Sequence, residues 1–209
     1  MEGVRQLEPY LFDRPRENCG LVAAYSNLEN YDVVPYVIHA LSGLQNRGQE
    51  GWGIVTNKMK TPYKLRGLVP EYEELIEKLG EDKEELLPKS NVAIAHNMYT
   101  TSSISFLENF QPLKIENSGV SFFLAHNGTV EVDVLKPLVD KENNSEGCQK
   151  DSKLMGMRLA KLYSENKDWF KTFEQANPDL KGSYSVVILD SEGIVAARGG
   201  GVNRPLCRG

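Results

Sequence analysis

Cys19 stands where a polar, charged leader, residues 1–18, gives way to the apolar run Gly20-Leu21-Val22-Ala23-Ala24. A thiol that opens such a run is ordinarily a small buried hydrophobe. It would become a nucleophile if it were the first residue of the chain, because its own α-amino group would then act as its base. A free α-amine titrates near ~7.7–8.0, so it can take the thiol proton and later return it to a departing amine. With Asn18 attached, that nitrogen is an amide without base strength. The chemistry therefore requires the loss of residues 1–18 as a propeptide.

The other reactive side chains read more plainly. Arg47 and Glu50 lie in Leu44-Gln45-Asn46-Arg47-Gly48-Gln49-Glu50, between a helix and a strand. His96 and His126 are bases by type, but each closes a strand-like run, where structural hydrogen bonding is the simpler use. Asn127-Gly128 taken alone is a common turn pair, and Asp151 taken alone is a helix N-cap. His39, mid-helix, carries no role.

The elements that must position these residues follow from hydrophobic spacing. Residues 19–25 read as a strand. Asp32 caps a helix with Pro35 in its first turn and the stripe Val34, Val37, Ile38, Leu41 and Leu44. Residues 52–56 and 63–69 form a strand and its hairpin partner. The acidic stretch 71–87 keeps Tyr72, Leu75, Ile76 and Leu79 at helical spacing, with its charges on a solvated face. Buried-type strands cover 91–96 and 120–125, with 108–112 a loop. A helix covers 132–139, and 141–150 is a polar surface loop. Asp151 or Ser152 caps a helix with Met155, Leu159 and Leu162 inward, and Asp168 caps another with Trp169, Phe170 and Phe173 inward. Residues 184–189 and 194–197 pair around Asp190-Ser191-Glu192-Gly193. Strands that are adjacent in places and helix-separated in others indicate α+β, with mixed or antiparallel sheets covered by helices.

The totals exclude several classes. The chain has 209 residues, 40% of them hydrophobic, enough for one domain with a sizeable core. A net charge of −5 disfavours nucleic acid and anionic membranes as partners. No apolar run reaches the ~18 residues of a spanning helix, and the leader lacks the apolar centre of a signal peptide. The three cysteines, Cys19, Cys148 and Cys207, are scattered without C-x-x-C spacing, so neither disulfides nor a metal site are indicated. A cytoplasmic location is expected.

The motifs, in their order, resemble class II glutamine amidotransferases, which are N-terminal-nucleophile hydrolases, and most nearly the glutaminase domains of amidophosphoribosyltransferases. Cys19-Gly20 matches the family's Cys-Gly start, and Leu44 through Glu50 match L-Q-H-R-G-Q-[DE] with one position altered. His96-Asn97-Met98-Tyr99-Thr100-Thr101 aligns with H-[NV]-R-Y-[SP]-T. Glu108-Asn109-Phe110-Gln111-Pro112 aligns with E-N-x-Q-P, and His126-Asn127-Gly128 with H-N-G. Asp151-Ser152 falls at an acidic position before a helix, and Arg204-Pro205-Leu206 matches R-P-L. The resemblance implies an αββα sandwich over 19–209 behind the 1–18 leader. It implies a glutaminase that splits glutamine into glutamate and ammonia through Cys19 without a cofactor or metal. Asn127 (side-chain amide) and Gly128 (backbone N–H) would hold the oxyanion, and Asp151 the substrate ammonium. Arg47, Gly48 and Thr101 would line the substrate cleft.

Two departures stand out. The family's arginine for the α-carboxylate of glutamine falls on Met98. Loss of such a charged hydrogen bond, worth ~1.5–3 kcal/mol, implies roughly ten- to over a hundred-fold weaker binding. Gly199-Gly200-Gly201-Val202-Asn203 stands where the family has D-P-x-G-[IV]. No acidic phosphoribosyl-pyrophosphate motif occurs, so the ammonia acceptor of purine synthesis, a phosphoribosyltransferase-like site, is expected on a partner chain or missing domain within an oligomer. The alternatives are a regulatory paralogue that keeps the fold without the reaction, and an amidohydrolase whose substrate has no α-carboxylate.

Overall fold

The structure, a computed structural model, describes residues 19–99, 107–140, 150–200 and 206–209. The leader 1–18, Thr101, the loop 141–149 with Cys148, and the turn through Arg204 and Pro205 lie outside the described residues.

Two four-stranded sheets form the centre. The first contains β1 (Gly20–Tyr25), β2 (Gly51–Thr56), β3 (Tyr63–Arg66) and β4 (Val92–Met98), in the order β1-β4-β2-β3. The second contains β5 (Leu113–Asn117), β6 (Val120–Val130), β7 (Gly182–Leu189) and β8 (Ile194–Gly200), in chain order. All pairings among the described strands are antiparallel, which makes the expected sheets antiparallel rather than mixed.

Each strand divides its side chains between two faces, as the two-residue repeat requires. In β4, Ala93 and Ala95 pack towards α1 (Val34–Gly43) and α2 (Tyr72–Leu79), with Val37, Ile38, Leu41 and Leu75. Val92 and Ile94 face the second sheet and meet Ala125, Val187 and Leu189. In β6, Phe122 and Leu124 point outward to α4 (Val132–Asp140), α5 (Asp151–Asn166) and α6 (Trp169–Ala176). The result is helix, sheet, sheet, helix: the αββα sandwich. No helix among the described residues is long and apolar enough to cross a membrane.

Several local expectations change. The acidic helix breaks at Gly80, where φ is +57°, into α2 and the one-turn α3 (Lys83–Leu86). Asp32 does not cap through the residue before the helix, but its Oδ1 accepts from Val34 N and from Ser90 N, both at 3.1 Å. Asp168 does cap α6, accepting from Lys171 N at 3.0 Å. Phe170, expected inward, is 79% exposed, because Trp169 and Phe173 already fill that side of α6. The strand β5 had no counterpart in the sequence reading, and β6 runs on through His126-Asn127-Gly128 instead of stopping before it.

Candidate active site

Cys19 leads directly into β1, and the register Gly20↔Asn97 sets it at the end of the first sheet beside Met98. Asn97 locks that arrangement from the helix side. Its Oδ1 accepts from Gly20 N at 2.6 Å and its Nδ2 donates to Leu44 O at 2.8 Å. The 3-10 turn Gln45–Arg47 then folds back over the strand end. Gln45 holds it by donating from Nε2 to Gly48 O at 2.7 Å, while its Oε1 accepts from Val69 N at 2.8 Å. Arg47 Nε donates to the Cys19 carbonyl at 2.9 Å. Gly48 is pressed onto the backbone of Met98, where a Cβ would come within 2.7 Å.

Burial raises the pKa of the Cys19 thiol, and the carboxylates of Glu50 and Asp151 push the same way, partly opposed by Arg47. Asp151 opens α5, on the other half of the molecule. The start of α5 on the second sheet and the start of β1 on the first therefore lie within electrostatic reach of each other.

On the second sheet, Asn127 follows His126 in β6. Phe123 and Ala125 face the first sheet, and alternation turns Asn127 the same way. It is 6% exposed, and its Oδ1 is buried without a hydrogen-bond partner. Gly128 adopts φ +142°, a conformation reserved for glycine. The turn reading of Asn127-Gly128 is replaced by a strand that narrows onto β7. Asp151 is the first residue of α5 and not its cap. Its Oδ2 accepts from Val130 N at 3.2 Å and its Oδ1 from Ser152 N at 2.7 Å, which fixes the carboxylate against β6.

Gln111, Ser152, His96 and His126 form the support. β5 ends its pairing at Leu113↔Leu124. Two residues farther along β6, the Gln111 side chain takes over the ladder, with His126 N donating to Oε1 at 2.6 Å and Nε2 donating to His126 O at 3.0 Å. His126 Nδ1 lies 2.9 Å from Ser152 Oγ, and His96 Nε2 reaches the His126 carbonyl at 3.2 Å. These bonds fit the structural use expected of the histidines, while His96 Nδ1 and His126 Nε2 are buried without a protein partner. Gln111 was invisible as a functional residue; its only signal was its place in E-N-F-Q-P. Among the described residues no group of three or more His, Cys, Asp or Glu is placed to hold a metal ion.

Burial lowers the pKa of His96 to about 3, with the charges of His126 and Lys64 adding to the effect. Burial also lowers that of His126, opposed by Asp151. Between pH ~6.5 and about 3 the unfolded chain binds a proton at His96 that the folded one refuses, and His126 acts in the same direction. Folding stability contributed here is complete above pH ~6.5 and falls with acidification, by up to ~1.4 kcal/mol per pH unit for His96. Urea midpoints should therefore drop between pH 7.5 and 5.0, and His96→Gln should flatten the slope. An unchanged slope would place the acid sensitivity elsewhere.

No protein-family profile matches the chain. It is 33% identical over 187 residues to an amidophosphoribosyltransferase of Methanothermobacter thermautotrophicus, covering 88% of this chain and 38% of that one. It is 33% identical over 202 residues to the chloroplastic amidophosphoribosyltransferase 2 of Arabidopsis thaliana, covering 94% and 34%. The mouse amidophosphoribosyltransferase is 31% identical, with 93% and 39% covered. The chain thus spans less than half the length of these relatives. Among solved structures, glutamine phosphoribosylpyrophosphate amidotransferase from B. subtilis, complexed with ADP and GMP, superposes with a TM-score of 0.65 at 24% identity, over 85% of this chain and 36% of that one. A structure described as the allosteric regulatory enzyme of purine biosynthesis gives 0.57 at 26% identity, over 80% and 34%.

Proposed function

From the premise that this chain is homologous to the class II glutamine amidotransferase part of the amidophosphoribosyltransferases, we propose that it is the glutaminase component of such an enzyme. The observation that carries the reading is that Arg47 and Glu50, beside the first sheet, and Asp151, at the start of α5 on the second, all act on the Cys19 sulfur, with Asn127 buried in β6.

In this reading residues 1–18 are removed and Cys19 gains a free α-amine. The amine takes the thiol proton as sulfur attacks the side-chain amide carbon of glutamine. The carbonyl oxygen becomes an oxyanion, held by the Asn127 side-chain amide and the Gly128 N–H; one such donor is typically worth ~10²–10³ in rate. Collapse breaks the C–N bond, and the amine returns the proton to the leaving ammonia. Water, deprotonated by the same amine, then cleaves the thioester to release glutamate and restore the thiol. Asp151 binds the α-ammonium of glutamine, and Gly48 and Thr101 line the cleft. Ammonia passes to a phosphoribosyltransferase-like acceptor on a partner chain or a further domain, in an oligomer working in the cytoplasm.

The test is direct. Chain whose intact mass shows loss of residues 1–18 should release glutamate and ammonia from L-glutamine in equal amounts, and chain that retains them should release none. Processed chain that gives no ammonia would favour the second reading, a regulatory subunit that keeps the fold, which Met98 at the carboxylate position motivates.

A further inference from the structure

By the resemblance, Met98 stands where an arginine would hold the α-carboxylate of glutamine, and a thioether cannot form an ion pair. Arg47 stands next to that gap. The residue after it, Gly48, lies flat on the Met98 backbone, with a Cβ there meeting Met98 N and C at 2.7 Å. The Arg47 and Met98 side chains therefore start from neighbouring points. Arg47 spends one donor, Nε, on the Cys19 carbonyl at 2.9 Å. That bond holds the guanidinium close to the nucleophile and leaves its two Nη groups, a fork whose geometry matches a carboxylate. Among the described residues the ion pairs are Lys114–Glu116, Arg158–Asp179 and Lys161–Glu165, and none engages this fork.

The charges around Cys19 point the same way. Arg47 is the cation acting on the sulfur, and Glu50 and Asp151 are the anions. A ligand with one ammonium and one carboxylate complements Arg47 and Asp151 when its ammonium meets Asp151 and its carboxylate meets Arg47. We propose that Arg47 supplies the α-carboxylate grip that Met98 cannot, so that the site selects α-amino acid amides over amides lacking the carboxylate. The proposal rests on the glutaminase reading for where the amide lies, and it concerns binding alone.

Equilibrium titration of the full chain carrying Cys19→Ala, which cannot turn substrate over, tests it. The probes are L-glutamine and 4-aminobutanamide, which keeps the amide and the amine but has no carboxylate. L-Glutamine should bind more tightly. Arg47→Gln should weaken it by roughly ten- to a hundred-fold and weaken 4-aminobutanamide far less, and adding Met98→Arg should restore L-glutamine binding. Should Arg47→Gln fail to fold, Arg47→Lys, which keeps the charge without the fork, should show the same selective loss to a smaller degree. Equal loss for both ligands would overturn the proposal and leave Arg47 only a prop for the Cys19 backbone. A parent chain that does not distinguish the two ligands would overturn it as well. Selective binding through Arg47 together with processed wild-type chain that releases no ammonia would sink the glutaminase reading and leave the grip standing.

Discussion

Cys19→Ala should reduce ammonia release from L-glutamine by about 10⁴-fold or more, the scale on which removal of a covalent nucleophile is felt. Structure should survive the change. The thiol is half-buried, and its contact with the Tyr99 carbonyl, at 3.9 Å, is long even for sulfur. The strand end is held instead by Asn97 and Arg47, both through main-chain groups of residues 19 and 20. Catalysis and stability should therefore separate: an unfolding midpoint near that of the parent, with activity at background. Ammonia production that persisted in purified mutant chain would remove Cys19 from the chemistry and return it to the core.

Gly128→Ala should do the opposite and damage both together. A Cβ at Gly128 would stand 2.2 Å from the Ser183 carbonyl oxygen and 2.7 Å from the Tyr184 Cα, and both are backbone atoms of the paired strand that cannot swing away. The residue also holds φ +142°, where an L side chain is strained in any space. Backbone strain of ~1–3 kcal/mol and overpacking of ~1–3 kcal/mol together predict a loss of about 2–6 kcal/mol. That is a large part of the ~5–15 kcal/mol that holds a domain folded. Activity should fall further than stability alone explains, because relief of the clash moves the N–H proposed to hold the oxyanion. Urea denaturation measures the first effect and turnover below the unfolding midpoint the second. A loss under ~1 kcal/mol with normal turnover would contradict the close approach of β6 to β7.

The parts of this architecture that were legible beforehand share one property: they are written in short-range periodicity. The stripe Val34, Val37, Ile38 and Leu41 is buried as spaced, and the hairpin of β7 and β8 turns at Asp190 through Gly193 as its residues require. What escaped depends on partners distant in sequence. β5 reads Leu-Lys-Ile-Glu-Asn, a single half-buried edge whose Ile115 packs into the outer core only because α5 lies across it. The continuation of β6 through His126-Asn127-Gly128 rests on Gln111, fifteen positions back, which supplies a side chain where a strand would supply backbone. At the site, the motifs put forward Cys19, Asn127, Gly128 and Asp151 as the reacting and binding residues. They could not show that Asn97 and Gln111, from two separate motifs, brace the two sheets against the strand ends that carry these residues.

The environment that keeps the Cys19 sulfur protonated has a consequence for its durability. Peroxide and alkylating agents attack the thiolate, and sulfenic acid is the first rung of a ladder that ends irreversibly. Burial together with Glu50 and Asp151 makes the thiolate scarce. As long as Asn18 occupies the nitrogen, the sulfur has no internal base to create it. The dormant chain would then be chemically quiet as well as inactive. Release of the amine would expose the sulfur to oxidants in the same step that makes it useful, so the working lifetime of the processed form, more than its turnover, would be set by the redox state of its surroundings.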